Sequence, residues 1–318
     1  MRGNELSLPE RIADLRAMTE RTPISPRTVG ICCLLLGAVL FSCKGVIIKL
    51  AYGYEVSSIS LLGLRMIFSL PLFLLIGYFR GGKKGQRAEM TGRDWLTIIT
   101  LGVVGYYLAS YTDFLGLQYL SASMERVILF TYPTLVLILQ RLVFGTRIRP
   151  VQWGATLLCY LGIVVAFAGS DFGIGTNFLR GAALVFLSGL LYSTYVIGSG
   201  RLAPRIGNVR FTSLALVTAA IAVICHVSVS SEPVLGLPKM VYAYAVVMAI
   251  FCTVIPSYLV TEGIKRLGAG DAAIVGAIGP VATVLLEYYF LGEIMTVLQA
   301  AGAACIVAGV VIIGRSKG

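Results

Sequence analysis

Long apolar runs separated by short polar breaks recur along the chain after residue 29. They fall into ten windows, over about 30–52, 57–79, 95–116, 123–144, 151–169, 179–198, 211–230, 240–262, 270–291 and 296–314. Each approaches the roughly 20 residues that a helix needs to cross about 30 Å of hydrocarbon. The runs are continuously apolar rather than alternating, which predicts helices and argues against barrel strands. The pattern therefore predicts an all-α, polytopic membrane protein with ten transmembrane helices. Residues 1–29 are polar and of mixed sign, and read as a cytosolic tail with no cleavable signal peptide.

The polar breaks give these runs a direction. Basic residues crowd the tail (Arg2, Arg11, Arg16, Arg21, Arg27) and the breaks after runs two, four, six, eight and ten, 20 in all. The breaks on the other side hold only Lys239 and, at the start of a run, Arg180. By the positive-inside rule both termini are expected in the cytoplasm, with the chain in the cytoplasmic (inner) membrane. The same placement accounts for the net charge of +11 without an acidic partner.

Composition agrees with this reading. Apolar residues make up 57% of the chain and charged residues 13%, where a soluble domain carries about 25% charged. Mean hydropathy is +0.87. Aromatics lie within apolar runs and do not alternate with Lys or Arg, so nucleic acid is not an expected partner. The seven cysteines sit in apolar segments without a CxxC pair, and imply neither a disulfide framework nor a metal site. The lone histidine, His226, reads as a packed or interfacial residue.

The chain repeats itself. Shifted by 147 residues, Ser110-Tyr111 falls on Ser257-Tyr258, Pro133 on Pro280, Gly145 on Gly292, Gln152 on Gln299 and Gly162 on Gly309. The first run of each half matches more weakly and at another offset, with Phe41-Ser42 against Tyr192-Ser193. Residues 30–170 and 179–314 thus form two repeats of five runs each. Five is odd, so the second repeat is expected upside down relative to the first. Inverted repeats of this kind are a transporter signature, with the binding site between them near the midplane.

Gly279-Pro280-Val281, Leu291-Gly292-Glu293, Gly302 and Gly309 close the second repeat, and Tyr132-Pro133, Phe144-Gly145-Thr146 and Gly162 occupy matching places in the first. In these motifs the chain resembles the EamA-type transporters of the drug/metabolite transporter superfamily, over about residues 30–314. It departs from the family at Thr146, where an acidic residue is usual, and at Ile294-Met295, where a basic one often follows. The resemblance implies ten helices in two inverted five-helix repeats, no cofactor, and movement of small metabolites, often outward.

Charges inside apolar runs mark candidate chemistry, because each costs about 2.5 kcal/mol or more unless paired or wetted. These are Lys44, Arg65, Asp113, Glu125, Arg126 and Glu287, three cations and three anions. Counting from the start of each run places nearly all of them in the outer half of the membrane. They are expected to form one balanced polar cluster, either as structural or gating salt bridges or as a solute site. Tyr111 and Tyr258, repeat mates, are expected to line the cavity, while other tyrosines serve as interfacial anchors. Pro133 and Pro280 read as mid-helix kinks that either act as hinges or stay static. Glycines such as Gly154, Gly162, Gly302 and Gly309 permit close helix packing, and the pair Gly302 and Gly309 also leaves a homodimer open.

No HExxH, GxxxxGK[ST] or GxSxG motif is present, so neither an enzyme nor an ATP-driven pump is expected. The expected function is a secondary transporter or facilitator for a small polar, amino-acid-like metabolite, acting as an exporter. The alternative is a non-transporting membrane protein: a receptor, an assembly factor or a lipid-handling enzyme.

Overall fold

The computed structural model describes residues 25–81, 89–168, 177–282, 285 and 296–315, and among these the regular structure is all helical. Seven helices are long and apolar enough to cross a membrane: α1 (Pro26–Tyr52), α2 (Ser58–Arg80), α3 (Gly92–Gly116), the interrupted segment Met124–Phe144, α7 (Phe178–Ile206), α8 (Asn208–Val229) and α9 (Lys239–Leu267). Met124–Phe144 is built from α4 (Ala122–Leu129) and α5 (Tyr132–Phe144). Among the described residues there are also shorter apolar helices: α6 (Pro150–Phe167), α10 (Ala269–Val275) and α11 (Val297–Arg315). The second half of the ninth predicted run, with Glu287, lies outside the described residues.

Local chemistry starts and stops these helices. Ser25 caps α1, accepting from Thr28 N at 3.1 Å, with Pro26 in the first turn. Ser57 and Ser121 do the same for α2 and α4. Thr91 and Asp94 form a reciprocal capping box at the start of α3. Gly145, at φ 65°, ends α5 in the left-handed conformation that side chains disfavour. Large apolar side chains such as Leu74, Leu157, Val164 and Leu179 stand exposed, as they do on a surface that faces lipid rather than water.

The two halves touch through contacts that occur twice with the partners exchanged. A methyl group on Gly263 of α9 would meet Leu34 and Gly30 O of α1 at 2.3 and 3.0 Å, and one on Gly116 of α3 would meet Val185 and Gly181 O of α7 at 2.5 and 3.2 Å. Ser42 Oγ donates to Gly279 O at 3.1 Å, and Ser193 Oγ to Tyr132 O at 3.4 Å. In α3 and α9 the turns over Val103–Leu108 and Ile250–Val254 widen to π-helix, at places related by the 147-residue shift. Helices α6 and α11 close the far side: methyl groups on Gly162 and Gly309 would lie 2.6 Å from Gly302 O and 2.9 Å from Ala155 O. Gly302 and Gly309 are therefore buried against α6 of the same chain and do not offer an exposed seam for a second copy.

Candidate functional site

Between the halves lies a cavity enclosing about 970 Å³ of empty space, its mouth included, with walls from α1–α5, α7, α9 and α10. Lys44, Arg65, Asp113 and Arg126 form part of its wall, with Glu125 fully buried beside them. All five sit in the half of the bundle away from the basic loops. Lys44 lies in the second half of α1, Asp113 near the end of α3, Glu125 and Arg126 in α4, and Arg65 early in α2, whose far end carries Arg80.

Pairing within this cluster is uneven. Lys44 Nζ donates to Asp113 Oδ2 at 2.5 Å. Arg126 Nη2 donates to Phe41 O at 2.9 Å, tying α4 to α1. Arg126 Nε lies 3.0 Å from Glu125 Oε2, yet neither atom has a hydrogen-bond partner, because the N–H is misaligned. That contact is a charge contact only. Glu125 can approach α1 because Gly45 presents no side chain there. The Asp113 and Glu125 carboxyls meet each other, and beyond that contact Asp113 Oδ1 and both Glu125 oxygens have no donor. Arg65, 2% exposed, rests over the Phe114 ring with its guanidinium carbon 4.9 Å from the centroid, and its Nε and Nη2 have no hydrogen-bond partner.

The aromatic part of the wall differs from the one the sequence predicts. Tyr106, Tyr132 and Tyr192 line the cavity. Tyr111 and Tyr258 are not among the residues that line it. Tyr111 packs edge-on against His226 with ring centroids 4.9 Å apart, and the Tyr258 hydroxyl pairs with Ser213 Oγ at 2.7 Å. The Tyr106 and Tyr132 hydroxyls are committed to Ser257 Oγ (3.1 Å) and Ala273 O (3.0 Å), so what they offer the cavity is ring surface. His226 is half-buried, and its Nδ1 and the Tyr107 hydroxyl are hydrogen-bonded at 2.8 Å.

The prolines also sit differently. The chain breaks between Leu129 and Tyr132, so Pro133 falls in the first turn of α5, where its missing N–H costs nothing. Pro280 likewise follows the tight turn Gly276–Ile278 after α10. Pro133 is therefore not a kink inside a continuous helix, whereas Pro280 lies in the helical stretch Ala269–Ala282 just after its tightened turn.

A second buried cluster lies at the basic end of the bundle, and sequence reading did not single it out. Asp271, at the start of α10, accepts from Arg149 Nη2 at 2.5 Å, Gln152 Nε2 at 3.0 Å and Arg27 Nη2 at 3.4 Å. Arg27 also donates to Ile313 O at 2.6 Å. The network joins α1, α6, α10 and α11. Its signal in the sequence is one acid in an otherwise small apolar stretch, Ala269-Gly270-Asp271-Ala272. Nearby, Arg205 pairs with Asp94, and Glu262 accepts from Arg266 at 2.6 Å and Asn208 at 3.0 Å.

Apolar helices around a charged, aromatic-walled cavity at the meeting of two related halves define a multi-pass membrane protein built like a carrier. The chain belongs to the EamA-like transporter family, whose pattern matches residues 28–168 and again 179–315. It is 31% identical over 301 residues to Uncharacterized transporter YcbK of Bacillus subtilis, spanning 89% of this chain and 92% of that one. To the Aromatic amino acid exporter YddG of Ancylobacter novellus it is 23% identical over 212 residues, 66% of this chain and 71% of that one. A solved crystal structure 21% identical in sequence superposes with a TM-score of 0.68 over 92% of this chain and 99% of its own, a likeness of fold.

Proposed function

We propose that this protein is a secondary transporter or facilitator that moves a small polar metabolite across the cytoplasmic membrane, in the outward direction. The observation that carries the reading is the cavity between the halves, walled by buried charges that are only partly paired. A scaffold has little use for such charges, since each is costly in hydrocarbon. A carrier uses them, because a solute's polar groups replace the missing partners. An amino-acid-like solute fits a wall that offers both signs, through Arg65 and Asp113. The name of the YddG relative supports that class and the outward direction.

In this reading ten helices form two inverted repeats, with both termini in the cytoplasm. The exchanged contacts between halves support the symmetry, as does the doubled family match. The repeats rock about the cavity, opening it to either side in turn. The breaks before Pro133 and Pro280 serve as hinges, and the Asp271 network is the inner gate, since it ties four helices together at the basic end. The test is flux into proteoliposomes containing the purified full-length protein, against a radiolabelled panel of amino acids, nucleosides and amines. Saturable movement of any of them above empty liposomes is expected. Folded protein that moves none of the panel would favour a receptor or assembly role.

A further inference from the structure

The cavity charges do not balance among the described residues: Lys44, Arg65 and Arg126 face Asp113 and Glu125. Two of the three cations are engaged. Lys44 is bound to Asp113, and Arg126 holds Phe41 O and faces Glu125. Arg65 is the odd one, with no carboxylate within salt-bridge distance among the described residues and two donors without partners. Those donors, Nε and Nη2, lie on the same edge of the guanidinium plane, where their N–H bonds run parallel. That edge is closed off from the cavity, so what Arg65 offers there is its uncompensated charge, which a carboxylate answers.

We infer that the solute is anchored by a carboxylate that pairs with the Arg65 guanidinium, with an apolar body against the rings of Tyr132 and Tyr192. This rests on the reading of the cavity as a solute site and names the group the site recognises. The surroundings select for a single negative charge. Among the described residues a cation is in excess, which a carboxylate answers, whereas a phosphate or sulfate dianion would bring a second charge toward Asp113 and Glu125. The Phe114 ring, its centroid 4.9 Å from the guanidinium carbon, helps to hold the cation at the wall. The body of the solute meets ring faces and aliphatic side chains such as Val196 and Ile264, since two of the three lining tyrosine hydroxyls are already committed. An amino group on the solute is then optional: a simple carboxylate is a ligand.

Three probes of one shape test this: 3-phenylpropionate, 3-phenylpropan-1-ol and 3-phenylpropylamine, titrated calorimetrically into the purified full-length protein. The carboxylate is expected to bind, and the alcohol and amine to bind roughly 10- to 100-fold more weakly, the loss of one charge-assisted contact. R65Q is expected to erase the preference and R65K to keep part of it. An amine that binds as tightly as the carboxylate would overturn the assignment, as would no carboxylate binding at all. The wild-type comparison decides even if R65Q does not fold. Flux of the same probes separates the two readings. Binding of 3-phenylpropionate without any flux keeps the seat and removes the transport function, whereas flux of the amine in preference to the carboxylate keeps transport and removes the seat.

Discussion

At the basic end of the bundle Asp271 is held by Arg149, Gln152 and Arg27, and every one of those contacts reaches across to another helix. In the far half the charges that line the cavity are left partly open: Arg65 Nε and Nη2 have no partner, and, apart from Lys44 and the Arg126 charge contact, the Asp113 and Glu125 carboxyls meet each other rather than a donor. The two clusters share a scaffold, but water reaches the Asp271 network through Arg27 and Arg149, and the clusters differ further in how completely their atoms are matched. A matched network holds helices together. An unmatched one costs stability in the empty protein and is suited to a ligand that completes it.

Cutting matched and unmatched groups in turn sharpens this contrast. The largest loss is expected from Lys44→Met, which strands the buried Asp113 carboxylate without its 2.5 Å partner. A fall of about 3–5 kcal/mol follows, read as a lowered thermal midpoint in detergent and largely recovered when Asp113→Asn is added. Asp271→Ala comes next, at about 2–3 kcal/mol, less because water reaches Arg27 and Arg149. The same variant would loosen the basic end, measured as faster thiol labelling of the buried Cys159 beneath it. Arg65→Met is the smallest in stability and of opposite sign, with stability unchanged or raised by about 1 kcal/mol, because an unpaired buried cation is replaced by an apolar chain of similar length. A sharp destabilisation by Arg65→Met would erase the distinction between the clusters.

Much of this arrangement is legible in the residues themselves. Apolar runs locate the helices, and counting charges inside them finds Lys44, Arg65, Asp113, Glu125 and Arg126, which the fold does bring to one place. The two offsets seen in sequence, 147 for most of each repeat and 151 for its first helix, are the ones that relate Gly116 to Gly263 and Ser42 to Ser193 in the packing. What escapes a periodic reading is local. The π-helical turn at Val103–Leu108 departs from the 3.6-residue register, and Tyr106 rather than Tyr111 joins the cavity wall. Pro133 looks like a kink because nothing in its neighbours announces that the helix has already ended at Leu129. Asp271 is passed over because a charge at the start of a run is ordinarily met by water, whereas here two arginines and a glutamine fold over it.

A carrier's cavity is reachable from each side of the membrane in turn. Ser110 lines it without carrying charge, and a single cysteine there in a cysteine-free background reports that access. Impermeant thiol reagents applied to vesicles of both orientations are expected to label Ser110→Cys from either face, with protection by a transported solute. Labelling confined to one face under all conditions would contradict a carrier and leave a one-sided binding pocket.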